Sequence, residues 1–346
     1  MSSYISSSDT TPPAQWRRWL AVFCGVLFGA TGLVYLFLLV LDPFDTGRFP
    51  SVGIAGVMDE SPRTANASRG RDPRFDSAIV GSSTGQPLDP TRLARATGLS
   101  FVQLTTPGTG PREQLALLDY FVARHERIGA LVLVIDNTWC TQDASLPMTH
   151  PFPFWLYADQ FEYLRNLLSE RAVRHAFRRI GIALGVKQAT DPVGYKDYEA
   201  GKAWNFHPDI SSLALPASAP LPLPDVRFPA IERLGDFLGR QRSAAPFVIV
   251  MPPIFATALP RVGTAEAAHL AACKAALARV ASGRPGARLL DFHVDDEVAR
   301  DPRNFMDTEH YRAEIARKVE AGIAIAISSG AGSRAQSEPA AGPLNR

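Results

Sequence analysis

Only three cysteines occur in the 346 residues, and Cys24 lies inside an apolar run. That leaves Cys140 and Cys273, too few for the disulfide framework of a small secreted domain. They either pair in an oxidising compartment or serve as two small buried hydrophobes. The seven histidines, at 125, 150, 175, 207, 269, 293 and 310, show no HxxxH spacing, and no CxxC occurs. The sequence therefore makes no case for a metal site or for a cofactor. The formal net charge is only +2. A nucleic-acid partner would want a strongly basic domain, so none is expected. What remains is an ordinary globular composition, 46% hydrophobic and 20% charged, long enough for one α/β domain and an anchor.

Charge is also missing from residues 20–41, which read LAVFCGVLFGATGLVYLFLLVL. At about 1.5 Å per residue this run covers a hydrocarbon core of about 30 Å. Arg17 and Arg18 precede it, which favours a cytoplasmic N-terminus, and Trp16 and Trp19 suit the interface. The run is too long for a signal-peptide core, and no small-x-small cleavage site follows. The expectation is an uncleaved signal anchor over 16–42 that meets the lipid bilayer through residues 20–41, with residues 1–15 cytoplasmic. In a Gram-negative cell this is a single-pass inner-membrane protein whose main domain is periplasmic.

Residues 43–75 are rich in Pro, Gly, Ser and Arg, lack periodicity and read as a stalk. The domain proper is expected over 76–327. Short apolar runs at 76–81, 101–104, 130–135, 247–251 and 288–292 read as strands. Helical patterns at 90–97, 111–126, 229–241, 264–281 and 308–327 alternate with them. Such alternation implies α/β architecture with a parallel sheet, and five strands fit a flavodoxin-like, doubly wound layer. Residues 141–228 break the alternation as a helical and irregular insertion. They carry aromatics (Trp155, Tyr157, Phe161, Tyr163) that either stack on sugars or pack the insertion down. They also carry arginines at 171, 174, 178 and 179, which either bind anionic polymer or lipid head groups or form a solvated helix face. The tail, 328–346, is expected to be disordered.

In doubly wound sheets ligands bind beyond the carboxyl ends of the strands. Residues 81–85 (GSSTG) follow the first strand, 105–110 the second, Asp136 and Asn137 the third, and 304–310 the fifth. A serine hydroxyl needs a base, and the base needs a partner that holds its tautomer. Ser83 sits between two glycines at a sharp turn. Asp307 and His310, three apart at an expected helix start, supply the orienter and the base. Oxyanion donors would come from Ser83 N–H, a backbone N–H near Gly108 or Gly110, and the Asn137 side chain. Ser82 is the alternative nucleophile. His293 is a second candidate base, without a well-spaced orienter, and Asp136 is expected to cap or hydrogen-bond the neighbouring loop.

These residues resemble a known family. Val80-Gly81-Ser82-Ser83 is similar to the nucleophile block of SGNH/GDSL hydrolases, in the GSS form of some membrane-anchored members. Residues 304–311 (NFMDTEHY) resemble the family's last block, where Asp and His stand three apart. The resemblance covers roughly residues 76–327 apart from the insertion, and implies Ser83 as nucleophile, His310 as base and Asp307 as orienter. Two departures stand out. Ser82 occupies the position where Asp is usual, and Ile135-Asp136-Asn137-Thr138 replaces GxND. Single-span members with the GSS form include proteins similar to alginate O-acetylation and D-alanine-transfer accessory proteins. The implied activity is serine acyl-ester hydrolysis or O-acyl transfer on an acylated glycan of the cell envelope, or on a small acyl ester. The alternative is a catalytically silent scaffold that recruits envelope-polysaccharide machinery as partner proteins.

Overall fold

The computed structural model describes residues 13–49, 53–58, 61–241 and 244–335. Most of the expected cytoplasmic tail and residues 336–346 lie outside them. Helix α1 (Pro13–Leu41) is long and apolar enough to cross a membrane, and only 11% of its most apolar stretch is buried, unlike a core helix.

The chain after α1 does not stand off as a stalk. Asp42 and Asp45 are almost fully buried. Asp42 accepts hydrogen bonds from Thr46 Oγ1 (2.9 Å), Gly47 N (2.7 Å) and Tyr163 OH (3.1 Å). Asp45 pairs with Arg71 and with the buried Arg179 at 2.9 Å, and accepts from Ser68 Oγ. Helix α2 (Pro62–Arg69) packs Thr64–Ser68 inward. Its Asn66 donates to the Leu104 carbonyl at 2.9 Å and its Ala67 carbonyl accepts from Tyr120 OH. Buried carboxylates are tolerated because each is paired and hydrogen-bonded.

The domain is α/β. Strand β1 (Ser77–Gly81) is followed by α3 (Pro90–Thr97), β2 (Phe101–Gln103), α4 (Pro111–Arg124) and β3 (Leu131–Val134). The insertion supplies α5 (Phe154–Tyr157), α6 (Gln160–Leu167) and α7 (Glu170–Ala183). Then come α8 (Pro229–Arg240), β4 (Phe247–Met251), α9 (Ala265–Ser282), β5 (Ala287–Asp291), α10 (Glu297–Arg300) and α11 (Ala313–Ala335). The five strands are all parallel in the order β2-β1-β3-β4-β5, one of the common doubly wound orders. The period-two alternation of strand side chains splits the core into two. Val80, Leu133 and Ile249 face α4, α8 and α9, while Ile79, Val132 and Val248 face α3 and α11.

Local chemistry sets the helix ends. Asp89 caps α3 by accepting from Thr91 N, Pro90 opens the helix, and Gly98 closes it at φ 75°. Pro111 and Pro229 open α4 and α8 in the same way. The last helix differs from expectation. It begins at Ala313 rather than 308 and continues to Ala335, so 328–335, expected in a disordered tail, are helical. A disulfide joins Cys140, at the end of a short 3₁₀ turn after β3, to Cys273 of α9.

Candidate active site

Strand β1 ends at Gly81, and the chain turns at once into a 3₁₀ turn over Ser83–Gly85. The flanking glycines are required by close approach. A Cβ on Gly81 would stand 2.7 Å from the Val134 carbonyl oxygen, and one on Gly85 would stand 2.9 Å from Thr105 Cγ2. Neither glycine has positive φ. Small residues therefore let the turn sit tightly on β3 and β2, which leaves Ser83 half-buried at the strand's carboxyl end.

His310 arrives from the connection between β5 and α11. Residues 305–311 form a tight loop closed by an antiparallel bridge between Phe305 and Tyr311. Met306 N donates to the His310 carbonyl at 2.7 Å, and Phe255 N, just beyond β4, donates to the Thr308 carbonyl at 2.9 Å. Phe305 and Tyr311 are buried in the α3/α11 core, and Phe305 packs edge-on against Phe255. Asp307 is thus part of a turn, not the first turn of a helix. Its Oδ1 accepts from Glu309 N and His310 N, both at 2.8 Å.

The structure brings Ser83, His310 and Asp307 together. Ser83 Oγ lies 2.8 Å from His310 Nε2, across 227 residues of sequence. His310 Nδ1 lies 2.8 Å and 2.9 Å from the two Asp307 oxygens. An ionised carboxylate only accepts, so Nδ1 carries the proton and Nε2 presents its lone pair to the serine hydroxyl. Partial burial alone would raise the Asp307 carboxyl. The hydrogen bonds from Glu309 and His310 outweigh it and hold the group below its ordinary value. A hydroxyl on such an imidazole is poised to lose its proton to the ring as it attacks an electrophile.

Ser82 takes no part in this chain. It is buried, and its Oγ donates to Asp136 Oδ2 at 2.7 Å. Asp136 also accepts from Thr138 N and Thr138 Oγ1, capping the turn that carries Asn137. Ser82 and Asp136 therefore tie the ends of β1 and β3 together.

Ser83, Gly108, Gly110 and Asn137 line one cleft of about 280 Å³, with Thr109, His293 and Glu309 also on its wall. Gly108, at φ +62°, turns the chain toward this cleft. Gly110 differs from the expectation, because its N–H already donates to Glu113 Oε2 at 3.2 Å as the start of α4. That leaves Ser83 N–H, Gly108 N–H and the exposed Asn137 amide as the donors among those expected.

His293 also borders this cleft. It is 3% exposed, and its Nδ1 lies 3.2 Å from the Pro252 carbonyl. A carbonyl only accepts, so in the neutral ring Nδ1 donates and Nε2 is an acceptor. That Nε2 has no hydrogen-bond partner among the described residues, and His293 lines the cleft. Burial first, then the Lys274 ammonium, push the ring below its ordinary value and keep it neutral at pH 7.

The insertion completes the other flank. A second hollow, about 180 Å³, is lined by Ser83, His310, Asp307 and Met306 together with Tyr198 and Trp204 of the insertion. Glu199 accepts from Arg312 Nη2 (3.0 Å) and Nε (3.1 Å) and from Ala313 N. A carboxylate from the insertion thus caps α11 two to three residues beyond His310. A lone Glu in an irregular stretch carries no sequence signal for this role. His150 also reaches the cleft's edge, against Gly108, whereas the buried His175 packs against Phe44 near the end of α1. Of the four insertion aromatics singled out in sequence, Tyr157 and Tyr163 are buried and Trp155 is partly buried, so those three pack the insertion onto the domain.

Comparisons of the chain with protein-family models, with curated proteins and with solved structures found no match.

Proposed function

We propose that this protein is a membrane-anchored serine acyl esterase or O-acyltransferase acting on an acylated glycan outside the cytoplasm. One observation carries the reading. Ser83 Oγ is hydrogen-bonded to His310 Nε2 while Asp307 holds the ring's opposite nitrogen. A serine that merely turns the chain needs neither partner.

In this reading Ser83 Oγ attacks the acyl carbonyl as its proton passes to His310 Nε2. Asp307 stabilises the imidazolium that forms. The negative charge on the former carbonyl oxygen falls to Ser83 N–H, Gly108 N–H and Asn137. Collapse expels the alcohol, which takes the proton from His310 and leaves Ser83 acylated. Water or a sugar hydroxyl then reverses the sequence, giving an esterase or a transferase. The cleft's volume is at the small end for ligand pockets, which fits a short acyl group on one or two sugar rings, with the remainder of a polymer outside. Placement beyond a membrane is supported by α1, with Arg17 and Arg18 on its N-terminal side, and accords with the Cys140–Cys273 bond. The blocks around Ser83 and His310 remain similar to those of SGNH hydrolases, which supports the same chemistry.

The test is covalent labelling of the folded full chain by a fluorophosphonate, followed by hydrolysis of an acetyl-ester substrate. Ser83 is expected to carry the label, with labelling lost in Ser83→Ala and strongly slowed in His310→Ala. Unlabelled Ser83 on folded protein, or a Ser83→Ala chain that retains full cellular function, would overturn the reading in favour of a silent scaffold.

A further inference from the structure

The insertion does more than wall the cleft. Two of its helices meet α1 below the end of the apolar run. Tyr35 OH donates to the Leu164 carbonyl of α6 at 2.8 Å, and Phe37 packs against Phe177 of α7 with ring centroids 5.6 Å apart. Counting from Trp19, Tyr35 stands about 24 Å and Phe37 about 27 Å along the helix, inside a hydrocarbon layer of about 30 Å. Whatever touches these two residues therefore touches the boundary between acyl chains and head groups.

The surface there is apolar. Phe177 remains 61% exposed despite its contact with Phe37, and Leu184, seven residues on along the same face, is 71% exposed. On α6 and just past its end, Phe161 and Leu168 are also exposed. Interleaved with them are the exposed Arg165, Arg171 and Arg174. Rings and leucines alternating with arginines are the pattern of helices that lie in a membrane interface. The core-facing side of α7 is satisfied separately, by Ala172, Ala176 and the Arg179–Asp45 pair.

We infer that α6 and α7 form a foot embedded in the outer leaflet, with Phe177 and Leu184 at the acyl boundary and the arginines at phosphate height. The bilayer is the partner. The foot fixes the height and tilt of the domain, so the Ser83 cleft faces the envelope at a set orientation. This inference rests on α1 crossing a bilayer and is independent of the chemistry at Ser83.

The full chain would be tested in vesicles of phosphatidylethanolamine and phosphatidylglycerol. Cys24→Ala removes the free thiol, and single nitroxides are attached at Leu27→Cys, Phe177→Cys, Leu184→Cys and Val262→Cys. Accessibility is read with oxygen against a water-soluble nickel chelate. Position 27 reports the anchor, and 262, an exposed position just before α9, reports water. The expected oxygen-to-nickel ratio at 177 and 184 exceeds that at 262 by at least about threefold, as for interfacial side chains. Ratios at 177 and 184 equal to that at 262, with 27 rich in oxygen, would overturn the foot and leave the anchor standing. A nickel-accessible 27 would overturn both. Circular dichroism of each labelled chain verifies that the fold persists.

Discussion

Removing the Cys140–Cys273 bond is expected to destabilise the domain far more than two small side chains warrant. The cysteines are 133 residues apart, so the bond closes a loop that holds the whole insertion, α8 and β4. In the chain-entropy account, freeing a loop of that length stabilises the unfolded state by about 5 kcal/mol. Were the two residues only buried hydrophobes, trimming each to alanine would cost on the order of 1 kcal/mol. For a domain of this size 1 kcal/mol moves Tm by about 2–4 °C, so the two accounts differ by about 8–16 °C. The assay is thermal unfolding of the detergent-solubilised chain by circular dichroism. Wild type is compared with the Cys140→Ala/Cys273→Ala double variant, each with and without reductant present through unfolding. Wild type in reductant should fall toward the variant, and the variant should ignore reductant. Cys24→Ala, in the anchor helix, should leave the midpoint unchanged. A wild-type midpoint indifferent to reductant, with no linked peptide in an unreduced digest, would refute the bond and the loop argument together. Activity is expected to suffer less than stability, because the turn bearing Asn137 is also held by Trp139 Nε1 donating to Gln114 Oε1 at 2.9 Å.

Asp307→Asn keeps an oxygen for the Glu309 and His310 amides but turns an N–H toward His310 Nδ1. The ring should then switch tautomer, and esterase turnover and fluorophosphonate labelling should fall on the order of 10⁴-fold; a loss under tenfold would contradict the assignment. His293 has a depressed pKa in the folded state, so its neutral burial adds stability that is complete above the unfolded value of about 6.5 and is lost as pH falls from there through the folded value. Unfolding free energy measured from pH 8 to 5 should therefore decline more steeply in wild type than in His293→Gln, and parallel curves would remove His293 from the account. Glu199→Ala frees Arg312 and the start of α11, and should lower kcat on the order of tenfold through misplaced His310, with Glu199→Gln milder because it keeps an acceptor for Ala313 N. Unchanged kcat in Glu199→Ala would show that the loop of 305–311 positions His310 unaided.

Four of the strands were legible because each is a short apolar run buried on both faces, and the edge strand β5 because of its Leu289-Leu290 pair; the expected limits match within about two residues. Pro90, Pro111 and Pro229 open three of the helices that flank the sheet. The apolar character of α1 was equally plain. The segment after it was not. Residues 43–75 read as a stalk from composition alone, because a charge is buried only when its partner is near, and Tyr163 and Arg179, the partners of Asp42 and Asp45, come from the insertion far along the chain. The start of the last helix was missed for a related reason. Asp307 has the local signature of a helix cap, and it does cap two amides, but those amides belong to a turn pinned by Phe305, Tyr311 and Phe255.

That turn explains why three scattered residues converge. A helix-start Asp and His would share one side of a helix, with the ring free to rotate about its own axis. In the loop, Asp307 Oδ1 accepts two backbone N–H groups and the imidazole at once. The hydrogen bonds that shape the backbone therefore also orient the ring, and no separate residue is needed to fix the tautomer. On the opposite side, Ser82 spends its hydroxyl on Asp136, and this leaves Ser83 the one serine of the pair directed at His310. The carboxylate comes from β3's end as Asp136, and Ser82 links it to the turn. A silent scaffold makes no chemical use of the Ser83–His310 hydrogen bond. The proposed esterase or transferase loses its activity with that hydroxyl, so the single substitution Ser83→Ala separates the two readings.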